Sequence, residues 1–379
     1  MTNGQQFLVL DQKWRFSALQ NIYFDLCINR SSIWVLRFII KGFVMYRGIF
    51  SYLSSNDMYN SSEKEWIVEL DRYHRYWYDL IVNPSEVAEY FDTRQLIVDY
   101  LKKIKQEVEA HLEKRFIYFI CSRERVRFNI NKKPSYNPFT KKVKIYILVG
   151  EHKKKSSVKC VFVDSHTKRP CMPEIKITDK YITIKNSMGC LETYSVHDFL
   201  EQSNISLGLD SRVEYVGCTK NPHTRPTNGS HTGLSDVLHQ IAEEKRDSFI
   251  YFNLFKVMSY AINTKANLTF TLANSMVNEI DVELEGKILE KCFIFYFDSK
   301  NQTRNKVKEH RELEKNLINI SNKNKINAIH VNYEFKKTNE YAIFSSSRVP
   351  ADIRHVFTVK NDAGSVTIEN GSRLFDGLV

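Results

Sequence analysis

The sequence has little that would mark a secreted, fibrous or membrane-spanning protein. Its seven cysteines (Cys27, Cys121, Cys160, Cys171, Cys190, Cys218 and Cys292) are odd in number, scattered, and never in a Cys-x-x-Cys pair. That spacing suggests neither a disulfide framework nor a zinc site. Glycine (13) and proline (8) are sparse over 379 residues, so collagen-like and low-complexity classes are excluded. The most apolar run, residues 33–50, is interrupted by Arg37, Lys41 and Arg47, and three cations within one span argue against a transmembrane helix. No basic segment followed by an apolar stretch opens the sequence, so no signal peptide is expected. These absences predict a cytoplasmic protein with no membrane partner. A P-loop and a Gly-x-Gly-x-x-Gly run are both missing, which disfavours nucleotide hydrolysis and a Rossmann cofactor. Ser345 to Ser347 lack the Gly-x-Ser-x-Gly frame of a hydrolase nucleophile. His223, His231 and His239 recur every eight residues, which is not a chelating interval on one helix.

What is present is an ordinary globular composition with a basic surplus. Hydrophobic residues make up 42% and charged residues 26%, and the length suits two or three domains. Lysine and arginine number 55 against 44 acidic residues, a net charge of +11. Such a surplus favours a polyanionic partner, nucleic acid before an anionic membrane surface. Its distribution is uneven: residues 121–160 hold twelve Lys or Arg and two Glu. Lysines at that density serve either as a solvated edge that keeps strands from pairing with another chain or as a phosphate-contacting face.

Periodicity predicts an α+β protein in three regions. Residues 1–130 read as a helical N-terminal domain, because Leu70, Tyr73, Trp77 and Leu80 recur at intervals of three and four. Leu96, Ile97, Tyr100, Leu101 and Ile104 repeat the pattern. The aromatic group Tyr73, Tyr76, Trp77 and Tyr78 reads better as core packing than as a base-stacking platform. Residues 131–197 form a small, basic, β-rich region with strands expected at 143–149, 158–163, 174–178 and 181–185. Residues 198–379 read as a mixed α/β domain. Helices are expected at 235–244, 282–297 and 309–321, and strands at 249–255, 328–335, 356–359 and 366–368.

The most informative run is Val213-Glu214-Tyr215-Val216-Gly217-Cys218-Thr219-Lys220-Asn221-Pro222-His223-Thr224-Arg225. A short strand carries a tyrosine and passes through Gly217, where another group can approach the backbone closely. It turns at Asn221-Pro222 and delivers Arg225, whose planar fork of donors matches a phosphate. Further on, Glu290 precedes the apolar pair Phe293-Ile294, and Gln302 follows.

This arrangement resembles the second half of the GIY-YIG nuclease motif, in which an arginine follows the tyrosine of Tyr-Ile-Gly by ten residues, the interval between Tyr215 and Arg225. The resemblance covers residues 198–305. It implies a GIY-YIG-like core and a metal-dependent endonuclease hydrolysing DNA phosphodiester bonds, with RNA also compatible, and a setting in restriction or anti-phage defence. Tyr215 would take or relay the proton of water, Arg225 would steady the phosphate, and His231 is the candidate for the histidine that often follows. Glu290 would hold one Mg²⁺ or Mn²⁺. Lys220, standing near the position of the family's basic residue, would contact nucleic acid, as would Gln302, Arg304 and, in the basic region, Lys141, Lys142 and Lys144. The Gly-Ile-Tyr half of the motif does not appear at its usual distance, and Tyr194 is the nearest tyrosine upstream of Tyr215. Two other readings stay open: a nucleic-acid-binding protein on a nuclease-like scaffold that cleaves nothing, and an interaction subunit whose N-terminal helices dock a protein partner or a second copy.

Overall fold

A computed structural model describes residues 7–10, 46–82, 92–164, 167–185, 189, 191–224, 226–227, 232–299, 302, 306–336, 339–362 and 365–375. In chain order, β1 (Phe7–Leu10), β2 (Glu63–Trp77), helix α1 (Thr93–Ala110) and β3 (Phe116–Glu124) come first. Eight short strands follow: β4 (Val126–Phe128), β5 (Ser135–Asn137), β6 (Lys142–Val149), β7 (Lys154–Asp164), β8 (Pro170–Cys171), β9 (Glu174–Ile177), β10 (Tyr181–Lys185) and β11 (Leu191–Ser195). Helix α2 (Val196–Gln202) leads to β12 (Ser211–Thr219), α3 (Thr232–Glu243), β13 (Arg246–Asn263) and β14 (Leu268–Ala273). The remainder is α4 (Val282–Phe297), α5 (Lys306–Asn324), β15 (Ile326–Glu334), β16 (Phe344–Ser345), β17 (Arg354–Asp362) and β18 (Ser365–Asn370). Both helices and mixed sheets are therefore present, as an α+β chain requires.

Nine strands form the central sheet, in the order β16-β12-β3-β13-β2-β15-β17-β18, with β14 also paired to β13. The β2–β15 and β12–β16 pairs are parallel and the others antiparallel. Helix α4 covers one face: Phe293 and Phe297 meet Phe119 of β3 edge to face, at centroid distances of 5.2 and 5.6 Å. A long helix forms there because apolar Ile288, Leu289, Cys292 and Phe293 recur at helical intervals, and Asp281 caps its start by accepting from the amides of Glu283 and Leu284.

The expected helix across Leu70, Tyr73 and Trp77 is instead strand β2, and Leu80 falls in a single turn at Asp79–Val82. The cause is a β-bulge. Leu70 pairs with Phe255 and Arg72 with Leu254, so Asp71 is one residue too many. The extra residue shifts the phase of the strand and puts Leu70 and Tyr73 on one face, a three-residue interval that imitates a helix. Tyr76, Trp77 and Tyr78 are buried in the main core, and Tyr73 stacks on Phe335 at 3.8 Å. The second periodic segment is helical as expected: α1 buries Ile97, Leu101, Ile104 and Val108. Among the described residues, no helix is long and apolar enough to cross a membrane.

Residues 125–210 leave the central sheet at the end of β3 and return at β12, building a second core on the way. Val143, Ile145 and Ile147 of β6, Phe162 of β7, Ile182 and Ile184 of β10, and Phe199 of α2 are among its buried members. A buried polar network ties it to the central sheet. Asp247 at the start of β13 accepts from the Val126 amide (3.0 Å) and pairs with Arg127 (2.9 Å) and His197 (2.9 Å). His197 also meets the Tyr341 hydroxyl at 3.1 Å, and Arg75 pairs with Glu201.

Burial holds His74 and His197 in their neutral forms. The His74 pKa is pushed down to about 3 by burial and by the charge of Arg72, and burial lowers that of His197 against the pull of Asp247. An unfolded histidine titrates near 6.5. Depressed folded values mean that the unfolded chain binds protons first, so stability is full above about pH 6.5 and is lost as the pH falls. We expect the unfolding midpoint to drop between pH 7 and pH 5, with His74 contributing about 1.4 kcal/mol per pH unit below 6.5. Thermal denaturation at several pH values checks this, and a midpoint that is flat or rises on acidification contradicts it.

Candidate active site

Strand β12 is paired along its inner side with β3, but on its outer side β16 reaches only Ser211 and Arg212. Beyond that point the open backbone groups of an edge strand need other partners. Three side chains from α4 and the segment after it supply them. The Ser299 hydroxyl donates to the Glu214 carbonyl. Gln302 makes a two-point contact with Val216, accepting from its amide (2.9 Å) and donating to its carbonyl (2.7 Å). A Glu290 carboxylate oxygen accepts from the Cys218 amide at 2.8 Å. Gly286, one turn earlier on α4, lets the helix come close to the strand: a Cβ there would be 2.8 Å from the Arg115 side chain and 3.1 Å from Cys218 Sγ.

The inner side brings in a residue that motif spacing missed. Gly217 pairs with Tyr118 of β3, and a Cβ at Gly217 would lie 2.4 Å from Tyr118 Cζ and 2.5 Å from its hydroxyl oxygen. The glycine is required because a tyrosine ring fills the space a side chain would take. Tyr215 lies on the same face, its ring nearly parallel to that of Tyr118 at 6.0 Å. Tyr118 is buried and Tyr215 half-buried. Side chains alternate along a strand, so the two tyrosines project from the face opposite α4. Tyr194, by contrast, is buried in the second core and donates to Glu192. The sequence signal for Tyr118 is the pair Ile117-Tyr118. Its distance from Tyr215 hid it, because the whole second core lies between them.

The remaining candidates are distributed as follows. Arg225, His231 and Arg304 lie outside the described residues. Lys220 is about half exposed just past β12 and faces Glu109 (3.6 Å) and Glu113 (3.8 Å). Lys142 and Lys144 lie on β6, with Lys141 in the turn before it, so these three belong to the second sheet and not to the neighbourhood of Tyr215. Next to Glu290, burial and the Glu290 charge push the Cys218 thiol well above its ordinary range, so it is no nucleophile. His223, in the turn leading towards Arg225, has a buried Nδ1 with no hydrogen-bond partner among the described residues. Partial burial and the charges of Lys105 and Lys102 lower its pKa, which keeps the ring neutral at pH 7.

Among the described residues no group of three or more His, Cys, Asp or Glu is placed to hold a metal. A cation at Glu290 would complete its shell with water and phosphate oxygens. Mg²⁺ and Mn²⁺ fit that donor set, since Mg²⁺ keeps much of its hydration and is commonly held by one or two carboxylates. No protein-family model matches the chain, and no curated protein or solved structure matches it either.

Proposed function

We propose that the protein is a metal-dependent endonuclease of the GIY-YIG type that hydrolyses DNA phosphodiester bonds. The observation that carries this reading lies along β12: Tyr118 and Tyr215 stand side by side on paired strands, and Glu290 of α4 is bonded to the backbone of the same strand at Cys218. The half-motif absent from its usual place is supplied by Ile117-Tyr118, across strands that hydrogen bonding holds in register. Residues 125–210 are then an insertion between the two halves. Tyr215 accepts or relays the proton of the attacking water, Arg225 grips the phosphate, and Glu290 holds the ion. When bound, Mg²⁺ or Mn²⁺ supplies stabilisation of the charge that develops on the phosphate and the leaving oxygen. A tyrosine ordinarily titrates near 10, so this role calls on Arg225 and the bound ion to favour its deprotonated form. A place in restriction or anti-phage defence, with the basic second sheet holding the DNA backbone, suits this activity.

The test is cleavage of supercoiled plasmid with Mg²⁺ or Mn²⁺, comparing wild type with Tyr215→Phe and Tyr118→Phe. Each substitution removes one hydroxyl and keeps the ring. We expect Tyr215→Phe to lower the rate about 10²- to 10⁴-fold, the usual scale of general acid–base catalysis, with a smaller loss for Tyr118→Phe. Unchanged rates in both would remove the tyrosines from the chemistry.

A second reading rests on the bond between Glu290 and the Cys218 amide. A carboxylate that only closes a strand edge is structural, and the protein would then bind nucleic acid without cutting it. Glu290→Gln separates the two readings.

A further inference from the structure

The turn between β5 and β6 presents a bare aromatic ring. Phe139 is 94% exposed, which is unusual for a phenylalanine. The turn that carries it is preformed: the Asn137 side chain accepts from the amides of Phe139 (2.9 Å) and Thr140 (3.0 Å), and Asn137 itself pairs with Lys142 across the hairpin.

The sheet face running back from this tip is basic. Val143, Ile145 and Ile147 of β6 point into the second core, so Lys142, Lys144 and Tyr146 line the outer face. From Lys142 to Tyr146 is about 13 Å along the strand. Lys144 pairs directly with Lys159 of β7, and like charges placed opposite each other are destabilising. Lys144 and Lys132 both hold their ammonium groups over the Tyr146 ring, at 5.1 and 5.0 Å. Among the described residues, none of Lys132, Lys142, Lys144 and Lys159 has a carboxylate within ion-pair distance. Uncompensated lysines in a flat stripe call for a polyanion lying along the strands. An anionic membrane would be met by a ring of cations around an inserted tip, and the stripe runs away from the tip instead.

We infer that this face is a single-strand nucleic-acid site, in which the phosphates lie along Lys142, Lys144 and Lys159 and an unpaired base stacks on Phe139. The combination of a cationic track with an aromatic platform is how sequence-tolerant single-strand binding is built. This inference rests on the nucleic-acid reading above and adds to it a preference for unpaired substrate.

The experiment is fluorescence anisotropy in EDTA with full-length protein, a labelled dT20 strand, a blunt duplex of the same length, and phosphatidylserine vesicles as a third arm. Phe139→Ala should weaken dT20 binding about fivefold to a hundredfold, leave its salt slope unchanged and barely affect the duplex. Lys144→Ala with Lys159→Ala should lower the salt slope on dT20 by about 1.4. Phe139→Trp should retain affinity and show tryptophan quenching on binding. Phe139 is fully accessible, so thermal midpoints should match wild type. If Phe139→Ala binds dT20 as wild type does while the lysine pair weakens it, the stacking role is overturned. If Phe139→Ala loses vesicle binding but not dT20 binding, the tip is a membrane anchor and the inference fails. Failure of wild type to bind either oligonucleotide overturns it too, whereas persistent plasmid cleavage would show that the nuclease reading survives without it.

Discussion

Glu290→Gln should abolish cleavage and leave the fold intact. The glutamine Oε1 can still accept from the Cys218 amide, now 2.8 Å from the carboxylate, so the strand edge stays closed and the unfolding free energy should fall by no more than about 1 kcal/mol. What is lost is the negative charge. An ion held by Glu290 would depend on that charge, and losing it would remove several kcal/mol of transition-state stabilisation. A fall of at least about a thousandfold corresponds to roughly 4 kcal/mol. Parallel measurement of cleavage rate and thermal midpoint decides the matter. Lost activity at unchanged stability places Glu290 in the chemistry, whereas an active and equally stable variant makes it an edge cap and nothing more.

The second large effect is expected at Gly217. Any Cβ there would lie 2.4 Å from Tyr118 Cζ and 2.8 Å from its Cε1, so Gly217→Ala must push a buried ring aside. Overpacking of this kind costs about 1–3 kcal/mol. It also moves both tyrosines, since Tyr118 and Tyr215 lie 6.0 Å apart on the same face. A displacement of an ångström at reacting groups can cost about a hundredfold in rate. The companion variant Gly217→Ala with Tyr118→Leu, which shortens the side chain above the new methyl, should recover much of the stability and little of the activity. Urea denaturation and the plasmid assay together check this. A Gly217→Ala protein as stable and as active as wild type would show that the ring yields freely and that its position is unimportant.

Parts of this architecture could be read from local pattern and parts could not. The helix at Val282–Phe297 declares itself through its apolar spacing and its Asp281 cap. The strand at Ile326–Glu334 does so through alternation, with Ile329, Val331 and Tyr333 in the main core. β2 misleads because a single bulge residue, Asp71, changes its interval from two to three. In the site, Tyr215, Glu290 and Gln302 are visible in linear order, and the structure gathers them at the edge of β12. Tyr118 was invisible as a partner because β3 and β12 are neighbours only in space. A motif search assumes a short hairpin, and here an entire second core occupies the connection. The use of Ser299, Gln302 and Glu290 to close a strand edge is likewise a tertiary fact, since nothing in their spacing says which backbone groups lack partners.

We propose that Tyr118, Tyr215 and Glu290 cut DNA with the help of a divalent ion. The most direct measurement is the rate at which purified wild-type protein converts supercoiled plasmid to nicked or linear form in Mg²⁺ or Mn²⁺, against EDTA and against Glu290→Gln prepared identically. The expected result is cleavage by wild type that needs the ion, and none by the variant while it still binds the plasmid. Cleavage that persists in EDTA, or that Glu290→Gln performs as fast as wild type, would contradict it.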